Sequence, residues 1–294
     1  MSGGTIGMII NRNLHAINLS NILKFKNWDI GKSAERVSSG LRINRAGDDA
    51  AGLAVSEKMT GQIHGLRQAE RNTEDGISIV NTAEEYLRQS TDIMSRMRSL
   101  AVQAANGTYT PADRQLIQVE ISALVDEIDR VASQADFNTM KIMLGDFSRH
   151  NPHASMWFHV GPNSFQKERI YIGTMTARGL GIRNDSGALA ASLSSPEAAN
   201  DAIGLLDHAI QRIVKQRSDL GAYISRFEKT AQELSQAWES AHGASSVVRD
   251  ADVAEVMVAL TKDTIIAETN MAMLAQANVQ PNSVIALLRE KLPF

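Results

Sequence analysis

From Ile203 to Trp238 apolar residues return at alternating steps of three and four, through Leu206, Ile210, Ile213, Leu220, Ile224, Phe227, Ala231 and Leu234, with Arg217 the one polar interruption. No strand carries that period. A stripe repeating every seven residues makes a helix that is apolar along a single seam, and such a helix needs a partner with a seam of its own. Its start is marked as well: Ser195 can cap, Pro196 suits the first helical position, and Glu197 places an acid in the first turn.

Matching seams occur elsewhere. Ile117, Ile121, Leu124, Ile128, Val131 and Ala135 follow the start signal Thr110-Pro111-Ala112-Asp113, while Ile77, Val80, Leu87, Met94, Met97 and Ala101 lie upstream. The turn dipeptide Asn106-Gly107 folds the second of these back antiparallel on the first. Toward the C-terminus Val253, Leu260, Ala267, Leu274 and Leu288 fall seven or fourteen apart, beside a line of Met257, Met271 and Ile285 that Thr264 and Asn278 interrupt; Pro281 occupies a position of the first line. Ile10, Leu14 and Ile17 share one face near the N-terminus. These Ala-rich end seams stabilise an isolated helix little. Only residues 146–194 leave the helical period: Met156, Phe158 and Val160 alternate with Trp157 and His159, and after GPNSFQK Ile170 and Ile172 alternate with Tyr171, which predicts one β-hairpin. The fold class expected is mainly α, a long antiparallel helical bundle or coiled coil with paired terminal helices and a small β-hairpin insert.

Aromatic residues at 5% argue against a strand-rich sandwich, and the absence of Cys excludes disulfides and thiolate metal sites. The net charge of −3 gives no global field for nucleic acid, so no nucleic-acid partner is expected. Its distribution is uneven: residues 1–45 hold seven basic groups against two acids, and residues 246–294 hold four against six. The two ends are complementary in sign. No apolar run approaches the ~18–20 residues of a membrane span, and MSGGTIGMII lacks the basic and long apolar regions of a signal peptide.

Chemistry-bearing patterns are weak. Gly31-Lys32-Ser33 resembles the end of a phosphate loop, but Lys26 stands where the leading Gly is required. His150, His153 and His159 cluster in the insert without the carboxylates or helical His pair of a metal site. Asp48-Asp49 and Glu84-Glu85 are adjacent rather than facing, which reads as caps and solvated faces. The twelve Met read as core filler, and the sequons at Asn18, Asn106 and Asn184 are too short to weigh. Neither enzymatic activity nor any cofactor or metal is expected.

Two stretches are specific: VSSGLRINRAGDDAAGLAVS at 37–56 and LAQANVQPNSVIALL at 274–288 resemble the end regions of bacterial flagellin. MIINRN at 8–13, GLRQAERNTEDGISIV at 65–80, ASMWFHVGPN at 154–163 and ERIYIGTMTA at 168–177 resemble the filament core flagellins of spirochaetes, whose filaments turn in the periplasm. The resemblance covers about residues 8–145 and 196–290; the prefix MSGGTIG and the tail Arg289–Phe294 depart from it.

The resemblance implies a self-assembling filament subunit for motility. Residues 1–45 and 246–294 would be the two halves of an inner assembly domain, 46–145 and 196–245 the helices of an outer rod domain, and 146–195 the hairpin insert. The assembly seam would comprise Ile10, Leu14, Ile17, Val253, Met257, Leu260, Leu274, Ile285 and Leu288. Implied partners are further copies in a helical homopolymer, other flagellins or sheath proteins, a cap protein, and a flagellar export chaperone on the C-terminal stripe. A Toll-like receptor would be met by Arg96, Leu100 and Glu120. Export would run through the flagellar type III apparatus, to the periplasm in a spirochaete and otherwise outside the cell. A hook–filament junction protein is the alternative within the same architecture; a cytoplasmic signalling coiled coil, from another class, leaves the hairpin without a role.

Overall fold

The computed structural model describes residues 13–149, 151, 156–184 and 187–291; Ile10, the MSGGTIG prefix, His150 and His153 lie outside them. Ten elements follow in order: α1 (Leu14–Ser39), α2 (Ala50–Ala105), α3 (Pro111–Gln134), β1 (Asp136–Phe137), β2 (Met140–Lys141), β3 (Met156–His159), β4 (Lys167–Ile170), α4 (Ala177–Leu180), α5 (Pro196–Arg249) and α6 (Val253–Lys291). They form two compact units. The middle unit is residues 61–241, and the terminal unit joins the residues up to 60 with those from 242 onward.

The middle unit is built on the heptad seams. Along α2, Leu66, Ala69, Thr73, Val80, Ala83, Leu87, Ser90, Met94, Met97, Ala101 and Ala104 are all buried. From Val80 onward the apolar members meet Ile117, Ile121, Val125 and Ile128 of α3 and Leu206, Ile213, Leu220 and Phe227 of α5 in one core, while Leu66 and Ala69 form a smaller cluster with Leu234 of α5. Polar residues in the seam are satisfied locally: Thr73 Oγ1 donates to Ala69 O at 2.8 Å and Ser90 Oγ to Tyr86 O at 3.0 Å, so their burial costs little.

The predicted start signals are used. Thr110 and Asp113 form a reciprocal capping box with Pro111 at the head of α3, and Ala198 N donates to Ser195 Oγ at 3.2 Å at the head of α5. The α2–α3 turn at Asn106-Gly107 is pinned from inside by the buried Arg114, which donates to Ala104 O at 2.9 Å and Asn106 O at 3.1 Å. Its guanidinium satisfies carbonyls that the end of α2 leaves open.

The expected hairpin is β3–β4, antiparallel with Met156 opposite Ile170 and His159 opposite Lys167. Phe158 on its inner face meets Phe227 edge-on, ring centroids 5.7 Å apart. A second hairpin, β1–β2, was not expected: it turns at Asn138 and Thr139, both at positive φ. Asn tolerates that region better than most residues, but two residues of strand carry too little period to be read.

The seam of α5 also differs by a small rotation. Leu206, Ile213, Leu220, Phe227 and Leu234 are buried as expected, but the companion line runs through the buried Ala202 and Ala209 and the partly buried Gln216 and Tyr223. Ile203, Ile210 and Ile224 flank it. Arg217 is therefore no intruder; it sits at the edge and donates to Glu84 Oε1 at 2.8 Å.

Candidate assembly surface

The terminal unit is organised by α1 and α6. Asn13 Nδ2 donates to Ala277 O at 2.7 Å, Lys26 Nζ meets Asp263 Oδ1 at 3.0 Å, and Leu41 pairs with Asp250 in an antiparallel bridge. Each advance along α1 is matched by a similar retreat along α6, so the helices are antiparallel and in register. The bridge is closed by Arg42 N to Arg249 O at 2.7 Å and Ala251 N to Gly40 O at 2.9 Å. Gly40, at φ 71°, ends α1 in the left-handed conformation that a Cβ disfavours.

Burial shows which faces close. On α1 the partly buried set includes Ala16, Leu19, Leu23, Lys26, Ile30, Ser33 and Val37; on α6 Val256, Leu260, Asn270, Leu274, Ala277 and Pro281 are partly buried, and Asp263 and Ala267 are buried. Both sets step by three and four. The seam thus carries a charge pair, an amide and several alanines, and the Nδ2 of Asn270 has no hydrogen-bond partner. The Asp263 and Asp29 carboxylates beside Lys26 hold its ammonium above the usual lysine range.

The segment after α1 shows what its sequence motif does. Asp48 accepts from Lys32 at 2.9 Å and from the backbone N–H of Arg45 at 3.2 Å and Asn44 at 3.4 Å, which holds its carboxyl below the usual range. Asp49 caps α2 by accepting from Gly52 N at 2.9 Å. A Cβ on Gly52 would strike that carboxylate and come within 2.7 Å of Ile43 Cδ1, and Ile43 is 1% exposed. Asp49 is a cap, as the sequence suggested, whereas Asp48 is not a solvated acid but a latch, its side chain 13% exposed.

The outer faces stay open. Among the described residues of this unit, Ile43 and Ala267 alone are buried hydrophobics. Yet α1 exposes Leu14, Ile17, Ile22, Phe25 and Trp28, while α6 exposes Val253, Met257, Val258, Ile265, Met271, Met273, Val279 and Ile285. Phe25 is 68% exposed. Apolar surface on this scale marks an interaction site rather than ordinary scatter.

The seam expected from sequence therefore divides. Leu260 and Leu274 lie on the face closed against α1, whereas Leu14, Ile17, Val253, Met257 and Ile285 are exposed. Leu288 falls on α6, its side chain outside the described set. Sequence reading missed Ile22, Phe25 and Trp28, whose only signal is their size amid the polar residues of α1. In the middle unit, Arg96 donates to Glu120 at 2.6 Å on the surface, and Leu100 is 2% exposed within the core, so its side chain offers little to a partner. No group of His, Asp and Glu suited to a metal occurs among the described residues, and no helix there is long and apolar enough to cross a membrane.

Comparison with known proteins agrees across nearly the whole chain. Residues 10–148 match the bacterial flagellin N-terminal helical region, and residues 203–288 match the bacterial flagellin C-terminal helical region. Flagellar filament core protein flaB2 of Brachyspira hyodysenteriae is 54% identical over 286 residues, covering 96% of this chain and all of that protein. The flagellar filament 33 kDa core protein of Treponema phagedenis is 51% identical over the same span and coverage. A solved structure of a hook-associated protein from Vibrio parahaemolyticus shares the fold alone, at a TM-score of 0.56 and 13% identity over 69% of this chain and 99% of that one.

Proposed function

The chain belongs to the bacterial flagellin family, and from that premise we propose how its units divide the work of a filament subunit. It is a structural subunit of the flagellar filament, associating with copies of itself and with other flagellins. The observation that carries the division of labour is the terminal unit's poverty of core beside its wealth of exposed apolar side chains. Residues 1–45 and 246–294 serve assembly, the helices within 46–145 and 196–245 form the stiff outer part, and 146–195 decorates it. Leu260 and Leu274 close α1 on α6 within a subunit; Leu14, Ile17, Val253, Met257, Ile285, Ile10 and Leu288 meet neighbours.

Two substitutions separate those roles. Met271→Asp is expected to abolish polymerisation, measured by sedimentation, while the monomer keeps its helicity, because a carboxylate desolvated in every subunit contact costs several kcal/mol. Leu274→Asp is expected to lower monomer helicity too. Filaments of normal length from Met271→Asp would refute the assignment. A hook–filament junction protein, which forms a small ring, is not favoured by relatives that are filament core proteins; micrometre-long polymers from pure subunit distinguish the two.

The spirochaete relatives support a periplasmic filament. Export through the flagellar type III apparatus suits the basic, weakly seamed residues 1–45, and an export chaperone and a cap protein suit the open apolar stripe of α6. Arg96 and Glu120, both at the surface, are the residues through which a Toll-like receptor would be engaged; Arg96→Ala in a binding assay on monomer tests it.

A further inference from the structure

The outward face of the β3–β4 hairpin carries cations held by aromatic rings instead of by acids. Lys167 Nζ lies 3.9 Å and Arg169 Cζ 3.6 Å from the centroid of the Trp157 ring. Arg169 also donates to the Tyr171 hydroxyl at 3.3 Å, and Arg149 sits 5.2 Å from the Tyr171 ring. Two cations this close to one centroid cannot share a face. Residues two apart on a strand stand ~6.6–6.8 Å from each other on the same side, the thickness needed to slot a ring between them. The indole is therefore clasped between Lys167 and Arg169, and all three cations are exposed.

None of the three meets a carboxylate among the described residues. Other cations of this unit differ in having acids as partners, among them Arg88, Arg96, Arg98, Arg130, Arg183 and Arg217. Glu168, between the clasping cations in sequence, turns to the other face and pairs with Arg226. Cation–π contacts fix the side chains without cancelling their charge, so the face is a pre-ordered, uncompensated row of positive groups.

We propose that this face binds an extended acidic polypeptide segment with carboxylates at alternate positions. Such a strand repeats its side chains at the spacing of Lys167 and Arg169, and a guanidinium donates to a carboxylate in a bidentate fork. Stacking of a base or sugar is excluded, since both faces of Trp157 are taken. This chain itself has acids two apart at Glu127/Asp129 and Asp250/Asp252. The first pair is helical, and in the second Asp250 accepts from Ser246 while Asp252 caps α6, so the occupant is a different polypeptide.

The test is fluorescence anisotropy of the full-length chain with three probes: a peptide of alternating Glu and Thr, a block peptide of the same composition, and inorganic polyphosphate. The alternating peptide is expected to bind about tenfold tighter than the block peptide. Lys167→Gln with Arg169→Gln should weaken it about tenfold, and Lys215→Gln, an exposed cation elsewhere, should leave it unchanged. Arg149→Gln, outside the strands, is the substitute if the double variant loses its circular dichroism. Equal affinity for the two peptides, tighter binding of polyphosphate, or binding indifferent to these substitutions overturns the proposal.

Discussion

Lys26 and Asp263 show how much one pair can decide in a thin seam. Asp263 is 7% exposed, so removing its cation strands a carboxylate between helices whose other closed-face residues are mostly aliphatic and only partly buried. Lys26→Met is expected to loosen α1 from α6, seen as faster amide exchange along both helices, whereas Lys26→Met combined with Asp263→Leu should recover the protection. Lys26 is raised above its ordinary value, so its pair persists through neutral pH and is lost only as alkali passes that raised value. Asp48 runs the other way. Its carboxyl is depressed, so the latch it forms with Lys32 is complete above the ordinary carboxyl range and is lost as pH falls through the depressed value. Acidification should therefore release the amides of Asn44 and Arg45 to exchange, and Asp48→Asn should show them released already at neutral pH.

Among elements, the helices were legible because their periods are long, and the slip in their registers has a physical cause. A sequence reading follows the bulkiest residues, which picked Ile203, Ile210 and Ile224 on α5 and Met257 and Met271 on α6. The closest approach instead uses Ala202 and Ala209, or Asp263 and Asn270, because small or paired side chains let backbones come together while bulky ones flank the contact. On α6 that slip matters for function, since it leaves the methionines outside. Gly76 on α2 tests packing at the same scale: a Cβ there would lie 3.2 Å from Phe227 and 3.3 Å from Phe158, neither free to move. Relief of glycine's helix penalty is worth ~1 kcal/mol and overpacking costs ~1–3 kcal/mol, so Gly76→Ala should lose up to ~2 kcal/mol in a denaturant titration. Thr110→Ala, which removes one half of the capping box, should cost ~1 kcal/mol in the same assay. The β1–β2 turn had no such legible signal.

For the whole molecule, the contrast between units predicts uneven stability. Residues 61–241 hold a large core and a smaller cluster at Leu66, Ala69 and Leu234, while the terminal unit buries two hydrophobic side chains among those described. Hydrogen exchange on monomer should show strong protection in α3 and the seam of α2 and weak protection in α1 and α6, with the weak set becoming protected on polymerisation. Equal protection throughout the monomer would contradict this. The antiparallel pairing of α1 with α6 has a consequence in time. Lys26 and Asp263 are 237 residues apart, and Asn13 and Ala277 are 264 apart. At ~5–20 residues per second of synthesis, α1 leaves the ribosome and waits roughly 10–50 s for its partner. A truncated or stalled product never acquires the paired helices, so the order of the chain itself withholds the joining surface from every unfinished copy.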